Sequence, residues 1–302
     1  MKIKPVILCG GSGTRLFPGF KNVPSKQFID FGGWTLFEKT LDRIKSKIFD
    51  TPIISTNKIY LNLVLKALKK KQIPNYKIIL EPSKKNTAAA IITSSLLDEI
   101  GSNQPILFLP SDHFMPQKEI FNKILYSNLQ NLHKKNIFIF GIKPKTPRSD
   151  YGYLLNKKIN KKMNKVIDFI EKPNRAMAVK LIKKNAFWNS GIVLARKDSI
   201  INNTKMYQKK LFMDCLKSFN KVSQNKKVII LNKKFFNKIF PTSFDYAILE
   251  KGKEINSICL NISWSDLGNW IEIFKILKTQ IRNSFIEKNT FYRPWGLSLI
   301  HI

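Results

Sequence analysis

The chain has 302 residues, of which 43% are hydrophobic, so it is long enough to bury a sizeable globular core. Its 53 lysine and arginine residues against 20 aspartate and glutamate residues give a formal net charge of +33. The three cysteines are far apart and form no Cys-x-x-Cys pair, which argues against a disulfide framework or a zinc cluster, and no apolar run approaches the roughly 18 residues of a membrane span.

Short runs of β-branched and other apolar residues alternate with helical stretches through the first half of the chain. Strands are predicted at 6–8, 53–55, 78–80, 106–109 and 137–140. Helices are predicted between them at 36–44, 61–70, 87–100 and 118–132. A strand followed by a helix, repeated in this way, is typical of a mostly parallel sheet with crossover helices on both faces.

The pattern changes after Pro144. Residues 153–155 and 166–170 have the composition of strands and are separated by a polar turn of lysine and asparagine. We expect the second half to add antiparallel strands that close over the first half. The predicted fold class is therefore α/β, a Rossmann-like mixed, mostly parallel sheet in one unit without a linker.

The basic charge allows two interpretations, a nucleic-acid-binding surface or a solvated surface rich in lysine. The lysines occur in short groups along the chain, such as 69–71 and 134–135, without interleaved aromatic residues. A stacking platform for nucleic acid needs such aromatic residues, and runs of charge usually only solvate a surface. We therefore expect no nucleic-acid partner and solvated lysines at 69–71. The cysteine pattern and the short apolar runs predict no membrane partner and a cytoplasmic location. The sequence leaves open whether the chain forms a homo-oligomer.

A glycine-rich segment follows the first predicted strand directly. Its residues are Gly10, Gly11, Ser12, Gly13, Thr14 and Arg15. Glycines let backbone N–H groups approach a phosphate chain, and Arg15 adds positive charge for its far end. The segment lacks the Gly-Lys-Ser/Thr of a P-loop, and Leu16 stands where a dinucleotide fingerprint has its third glycine. By itself it also fits a tight turn with an exposed arginine.

Further polar clusters lie at predicted strand ends, where open α/β sheets bind their ligands. These clusters are 24–27, 81–88, 109–113, 151–153, 169–173, 188–191, 243–247 and 264–268. Gly-Gly-Ser-Gly-Thr-Arg-Leu at 10–16, Asn-Thr-Ala at 86–88, Trp-Asn-Ser-Gly at 188–191 and Trp-Ser-Asp-Leu-Gly at 264–268 carry a specific resemblance. In order and spacing they resemble the nucleotidyltransferases that make nucleotide sugars, in detail the bacterial mannose-1-phosphate guanylyltransferases of the long, two-domain type.

The resemblance runs from about residue 4 to residue 296. It implies a GT-A-like nucleotidyltransferase domain over residues 1–290. Residues 291–302 resemble the start of a linker to a cupin-like mannose-6-phosphate isomerase domain, which this sequence lacks. Residues 297–302 do not match the continuation of the family, which is consistent either with a fragment of a longer protein or with an aberrant tail.

The resemblance also implies a reaction, in which a phosphate oxygen of mannose 1-phosphate attacks the α-phosphorus of GTP and expels diphosphate. Such a transfer needs cations and oriented donors more than a protein nucleophile. By resemblance, Arg15 and the glycine backbone hold the triphosphate, and Lys26 neutralises charge between the reacting phosphates. Asp112 and Asp266 match metal-binding aspartates of the family and are expected to share a Mg²⁺ ion. The alternative for either aspartate is a turn or a helix cap.

The sugar side is assigned by the same resemblance. Lys172 resembles the family lysine that meets the sugar phosphate, and Glu171 and Asn189 resemble residues that hydrogen-bond sugar hydroxyls. Gly152 would let the backbone approach the sugar, and Asp245 is a candidate for the sugar pocket. The alternative for Glu171 and Lys172 is a surface ion pair before a proline-started helix.

Glu81 is the expected reader of guanine, because a carboxylate accepts hydrogen bonds from the N1–H and the exocyclic amine of that base. Asn86 and Thr87 open a predicted helix whose backbone donors suit the guanine carbonyl, although both residues also suit a helix cap. His113 is expected to be a structural partner and not a base, since the attacking phosphate oxygen is already anionic. Two alternatives stay open: another hexose 1-phosphate with UTP or dTTP, and a silent homologue that binds nucleotide sugar.

Overall fold

The structure is a computed structural model that describes residues 1–11, 25–160, 163–220, 223–224 and 227–287. Within these ranges the strands are β1 (Lys4–Cys9), β2 (Ile53–Asn57), β3 (Lys77–Glu81), β4 (Pro105–Pro110), β5 (Ile137–Ile142), β6 (Tyr153–Lys158), β7 (Asn164–Ile170), β8 (Phe187–Arg196), β9 (Ser223–Gln224), β10 (Val228–Ile230) and β11 (Ile255–Leu260). The α-helices of the same ranges are α1 (Leu36–Arg43), α2 (Leu61–Lys70), α3 (Asn86–Ser95), α4 (Lys118–Asn128), α5 (Arg175–Lys183), α6 (Lys197–Tyr207), α7 (Lys209–Phe219), α8 (Lys233–Phe236) and α9 (Trp270–Glu287). The predicted linker at 291–302 lies outside the described residues.

The described strands form one mixed sheet in the order β5-β11-β7-β6-β8-β4-β1-β2-β3-β10-β9. In the first half, β1 lies between β2 and β4 and pairs in parallel with both, and β2 pairs in parallel with β3. In the second half, β8 is antiparallel to β4, β5 and β6. The predicted mixed α/β sheet is confirmed, but it is not mostly parallel, since five pairings among the described strands are parallel and six are antiparallel. The later strands do not close over the earlier ones, because β8 pairs with β4 and extends the same sheet.

Hydrophobic side chains pack on both faces of this sheet. The neighbouring residues Val6 and Ile7 of β1 belong to two different buried clusters, because successive side chains of a strand point to opposite faces. The cluster that contains Ile7 includes Phe37 of α1, whereas the cluster that contains Val6 includes Ile91 of α3 and Phe212 of α7. Helices therefore cover both faces, as predicted from the alternation of strands and helices.

Helices α1 and α2 are joined by ion pairs. Helix α1 begins with a capping box formed by Thr35 and Glu38. The Nζ atom of Lys70 on α2 lies 2.9 Å from the buried carboxylate of Glu38, and the Nζ atom of Lys71 lies 2.5 Å from that of Asp42. Lys69 and Lys70 are exposed, as the prediction of solvated lysines expects, but Lys70 and the half-buried Lys71 also each pair with a carboxylate on α1.

Helix boundaries follow the predicted pattern most closely at α2, which spans the predicted residues 61–70. Helix α3 ends at Ser95, earlier than the predicted residue 100, and α4 gives way to a 3₁₀ turn at Leu129–Asn131. Across the part of the chain that the structure describes, no helix is both long enough and apolar enough to cross a bilayer.

Candidate active site

A cleft of about 610 Å³ opens at one edge of the sheet. Strands β1, β3 and β4 end there, which is the edge where parallel sheets bind ligands. The predicted site residues that line it are Gly10, Gly11, Glu81, Asn86, Thr87, Asp112, Gly152, Glu171, Lys172, Asn189, Asp245 and Asp266. Ser12, Gly13, Thr14 and Arg15 lie outside the described residues, so their contact with a triphosphate stays a prediction.

Glu81 is a buried carboxylate on the first-half side of the cleft. It is the last residue of β3 and is 6% exposed. Burial raises the pKa of its carboxyl group to about 7, although a hydrogen bond from Ser55 opposes the shift. The Ser55 Oγ atom donates this bond to Oε1 of Glu81 at 2.6 Å. No cation balances the carboxylate among the ion pairs of the described residues.

The start of helix α3 lies beside Glu81 in the cleft wall. The helix begins at Asn86, and the residue at its N-cap position is Lys85. The side chain of Asn86 accepts a bond from the Thr87 N–H at 2.8 Å, and Thr87 Oγ1 accepts one from the Phe244 N–H at 2.9 Å. The Asn86 side chain therefore satisfies an N–H of the first turn, in keeping with the helix-cap alternative, whereas the Thr87 hydroxyl bonds another segment, so that alternative is wrong for Thr87. The predicted start of the helix at this point is confirmed.

Lys26 links the two predicted metal-binding aspartates beneath the cleft floor. Its side chain is 5% exposed, and its Nζ atom lies 2.7 Å from Oδ2 of Asp112. The same ammonium group donates a hydrogen bond to the backbone carbonyl of Asp266. Burial raises the pKa of the Asp112 carboxyl group, but the charge of Lys26 outweighs this effect, and the net pKa lies below its ordinary value. Asp112 is therefore ionised at neutral pH.

Tyr151 holds the side chain of Asp266. The Tyr151 hydroxyl donates to Oδ1 of Asp266 at 2.5 Å, and the backbone N–H of Gly268 donates to the same oxygen at 3.1 Å. The Tyr151 ring is held edge-on by Trp188 at 5.0 Å and Trp264 at 5.5 Å. The contact with the Gly268 N–H agrees with the alternative interpretation of Asp266 as a turn residue. Asp266 nevertheless also lines the cleft. Sequence reasoning missed the role of Tyr151, because an aromatic residue beside a glycine gives no sign of its hydroxyl partner.

His113 lies next to Asp112 and is neutral. Burial lowers the pKa of its imidazole to about 4. Its ring packs edge-on against Trp264 at 5.3 Å, and its carbonyl accepts a bond from Arg43. A general base at neutral pH needs a pKa near 7, so His113 does not meet this requirement.

The wall of the cleft that the second half of the chain forms contains hydrogen-bonding side chains close to an exposed lysine. A Cβ atom on Gly152 would lie 2.5 Å from Oε2 of Glu171, so a larger residue there would displace the Glu171 carboxylate. The Nδ2 atom of Asn189 donates to Oδ1 of Asp245 at 2.7 Å, and the Asn189 N–H donates to the Gly152 carbonyl at 2.8 Å. The Nζ atom of Lys172 lies 3.1 Å from Glu171, with its side chain 53% exposed.

The alternative interpretation of Glu171 and Lys172, a surface ion pair before a proline-started helix, is only partly correct. The pair exists, but Glu171 is buried in the cleft and not on an open surface. Helix α5 begins at Arg175 behind its N-cap Asn174, so Pro173 does not start it. Burial and the neighbouring carboxylate of Glu171 raise the pKa of Asp245 to about 6. Acceptors and donors therefore surround this end of the cleft.

The cleft at the strand ends therefore contains two aspartates linked by a buried lysine, together with an exposed lysine from the second half of the chain. The chain belongs to the nucleotidyl transferase family, whose model matches residues 4–283.

Several known proteins are similar to this chain. The alginate biosynthesis protein AlgA of Pseudomonas fluorescens is 30% identical over 98% of this chain and 63% of its own length. A mannose-1-phosphate guanylyltransferase of Escherichia coli is 30% identical over 91% of this chain and 61% of its own length. The chain therefore spans about three fifths of the length of these curated relatives.

A solved structure shares the fold. It is described as a mannose-1-phosphate geranyltransferase from Thermus thermophilus, and it superposes with a TM-score of 0.77 at 23% identity. The match covers 91% of this chain and 79% of the other. This likeness confirms the predicted fold, a mixed α/β sheet with helices on both faces.

Proposed function

We propose that this chain is a cytoplasmic mannose-1-phosphate guanylyltransferase, with residues 1–290 as its catalytic domain. It converts GTP and α-D-mannose 1-phosphate into GDP-mannose and diphosphate. The observation that carries the proposal is the contact of the buried Lys26 with both Asp112 and Asp266, two residues that line the same cleft as Glu81 and Lys172. The guanylyltransferase of Escherichia coli supports the choice of substrates.

Asp112 and Asp266 would hold a Mg²⁺ ion. Both side chains line the cleft and offer the carboxylate oxygens that Mg²⁺ prefers, and Asp112 is ionised at neutral pH. Among the described residues no cluster of three or more histidine, cysteine or acidic side chains surrounds one point. Two carboxylates suit an ion that takes its other ligands from substrate phosphates and water. When bound, the ion supplies positive charge to the phosphate oxygens of GTP.

The transfer itself needs positioning and charge. A phosphate oxygen of mannose 1-phosphate forms a bond to the α-phosphorus of GTP while the bond from that phosphorus to the diphosphate leaving group breaks. The ammonium of Lys26 would stabilise the negative charge that gathers between the two phosphates. No proton has to be removed from the anionic attacking oxygen, which agrees with a neutral His113.

The phosphate of mannose 1-phosphate would replace the Glu171 carboxylate as the ion-pair partner of Lys172. The side chain of Lys172 is half exposed, so it is free to turn toward a phosphate, and a phosphate offers more acceptor oxygens than a carboxylate. Glu171, Asn189 and Asp245 would then bond the sugar hydroxyls, and Gly152 would let the backbone approach the ring.

The base would lie against Glu81 and the start of helix α3. Guanine donates from N1–H and from its 2-amino group, and the carboxylate of Glu81 accepts both. The backbone N–H of Asn86, at the start of helix α3 in the cleft lining, would donate to the guanine carbonyl, since the Thr87 N–H is already bonded to the Asn86 side chain.

Diphosphate release from a panel of substrates tests the proposal. GTP, ATP, UTP and dTTP are each paired with mannose 1-phosphate and glucose 1-phosphate in the presence of Mg²⁺. We expect the highest kcat/KM with GTP and mannose 1-phosphate. A higher value with UTP or dTTP and glucose 1-phosphate would assign the other sugar instead. Binding of GDP-mannose without diphosphate release from any pair would identify a silent homologue.

A further inference from the structure

Ser55 provides the single side-chain hydrogen bond to the Glu81 carboxylate among the described residues. Ser55 is completely buried in β2, two residues before Asn57, which is the strand partner of Glu81 in β3. Because alternate residues of a strand share a face, Ser55 and Glu81 lie on the same face of the sheet. Their contact of 2.6 Å is therefore fixed by the pairing of two central strands.

We infer that Ser55 determines nucleobase selectivity, by holding the Glu81 carboxylate in the orientation that accepts from both donors of guanine. This inference rests on the proposed function. Ser55 acts through Glu81, so it is a positioning residue and does not itself touch the base.

The orientation of the carboxylate is otherwise weakly determined. The last torsion angle of a glutamate side chain has a broad distribution of values. No cation pairs with Glu81 among the described residues. The Ser55 hydroxyl occupies one acceptor position on Oε1. A carboxylate has about four such positions, so acceptors remain on both oxygens. The other oxygen, Oε2, faces Gly10 on the cleft wall, where a Cβ atom would lie 3.9 Å away.

Selectivity depends on this orientation because the common purines differ along the edge that faces the carboxylate. Guanine presents N1–H and a 2-amino group, hypoxanthine presents N1–H alone, and adenine presents an acceptor at N1. A carboxylate held in one plane accepts both donors of guanine at once, whereas a rotating carboxylate gains less from the second donor. The ratio of GTP to ITP use therefore measures how well Glu81 is held.

The competing explanation is that Ser55 only satisfies a buried carboxylate and so stabilises the fold. In that case its loss would affect all nucleotides equally. A ratio between two nucleotides measured on the same variant cancels such a general loss.

The experiment compares kcat/KM for GTP, ITP and ATP, with mannose 1-phosphate as the second substrate. Ser55→Ala removes the hydroxyl, and Ser94→Ala is the matched control, since Ser94 is also completely buried and its hydroxyl has no partner among the described residues. We expect the GTP-to-ITP ratio to fall about tenfold in Ser55→Ala, the effect of a lost hydrogen bond to a charged group. Ser94→Ala should keep the ratio of the parent protein.

A second comparison places Ser55→Ala in a Glu81→Gln background. If Ser55 acts through the carboxylate, the serine change has no further effect on the ratio there. Should Ser55→Ala fail to fold, Ser55→Cys keeps the side-chain size with a weaker donor and should lower the ratio in the same direction.

A ratio in Ser55→Ala within about twofold of the parent value, or an equal fall in Ser94→Ala, would overturn the inference while leaving the proposed function intact. A further fall on adding Ser55→Ala to Glu81→Gln would overturn it as well. If the parent protein releases no diphosphate from GTP with mannose 1-phosphate, the proposed function and the inference both fail.

Discussion

The two walls of the cleft differ in how they hold their charged groups before any substrate arrives. On the first-half wall, the carboxylate of Glu81 is buried against one serine hydroxyl, with no cation beside it among the described residues. On the opposite wall, Lys172 already pairs with Glu171, and Asp245 already accepts from Asn189. One wall therefore offers an isolated acceptor, which suits selection by hydrogen bonds, whereas a phosphate proposed to bind Lys172 on the other wall would have to displace the Glu171 carboxylate.

The largest effect on turnover is expected from the two aspartates that Lys26 links, Asp112 and Asp266. Asp112→Asn and Asp266→Asn each remove a carboxylate charge with little change in size. Turnover should fall by about a hundredfold or more, because a hard cation loses an anionic ligand. The measurement is kcat over a series of Mg²⁺ concentrations, with the fold checked by circular dichroism.

Asp42→Asn is the matched control, since Asp42 pairs with Lys71 on the helical surface. It should turn over like the parent protein. Turnover close to that of the parent in either cleft variant at limiting Mg²⁺ would show that the two aspartates do not share a metal.

The next effect is confined to the wall with paired charges. Lys172→Ala should raise the KM for mannose 1-phosphate by about ten- to a hundredfold and change the KM for GTP little, because a charge-assisted contact of about 1.5–3 kcal/mol is lost. Steady-state kinetics with each substrate varied in turn separates the two constants. Lys165→Ala is the control, because Lys165 forms an ion pair of similar length, 3.0 Å, with Glu254 away from the cleft. Equal rises in both KM values would mean that the walls do not divide the substrates as proposed.

The sequence alone predicts the sheet and the meeting of the strand ends, but not the contacts that distinguish the two walls. Strand and helix periodicity places Glu81 and Asp112 at one edge, because parallel strands end together. The bond from Ser55 to Glu81 depends on the register of β2 against β3, and that from Tyr151 to Asp266 joins residues far apart in the chain. Local patterns carry no information on such pairings.

A tenfold effect of pH is expected on the wall with the isolated acceptor. The pKa of Glu81 is raised by burial to about 7, and guanine binds the ionised form, so affinity for GTP should increase as the pH rises through that value. Between pH 6 and pH 8 the KM for GTP should fall by up to about tenfold. Glu81→Gln should lose this dependence and discriminate less between GTP and ATP, which separates Glu81 from groups that titrate on GTP itself. A parallel pH profile in parent and variant would place the base reader elsewhere.

The smallest effect on catalysis is expected from the lysines at 69–71, which tests whether the position of a cation matters more than its number. Replacing all three by glutamine removes as much positive charge as three cleft lysines would carry, yet turnover should stay within about twofold of the parent, since α2 lies outside the cleft lining. Stability should fall, because Lys70 pairs with the buried Glu38 and Lys71 with Asp42. Because Lys70 is half exposed, we expect the free energy of unfolding in urea to drop by about 1 kcal/mol in the triple variant. Lys69→Gln alone should leave it unchanged.

If the triple variant instead loses as much activity as Lys172→Ala, the basic surface itself takes part in function. Tight binding of duplex DNA at physiological salt, without diphosphate release from any pair of substrates, would then favour a nucleic-acid role, because such binding depends on the summed charge of the surface and not on one paired lysine.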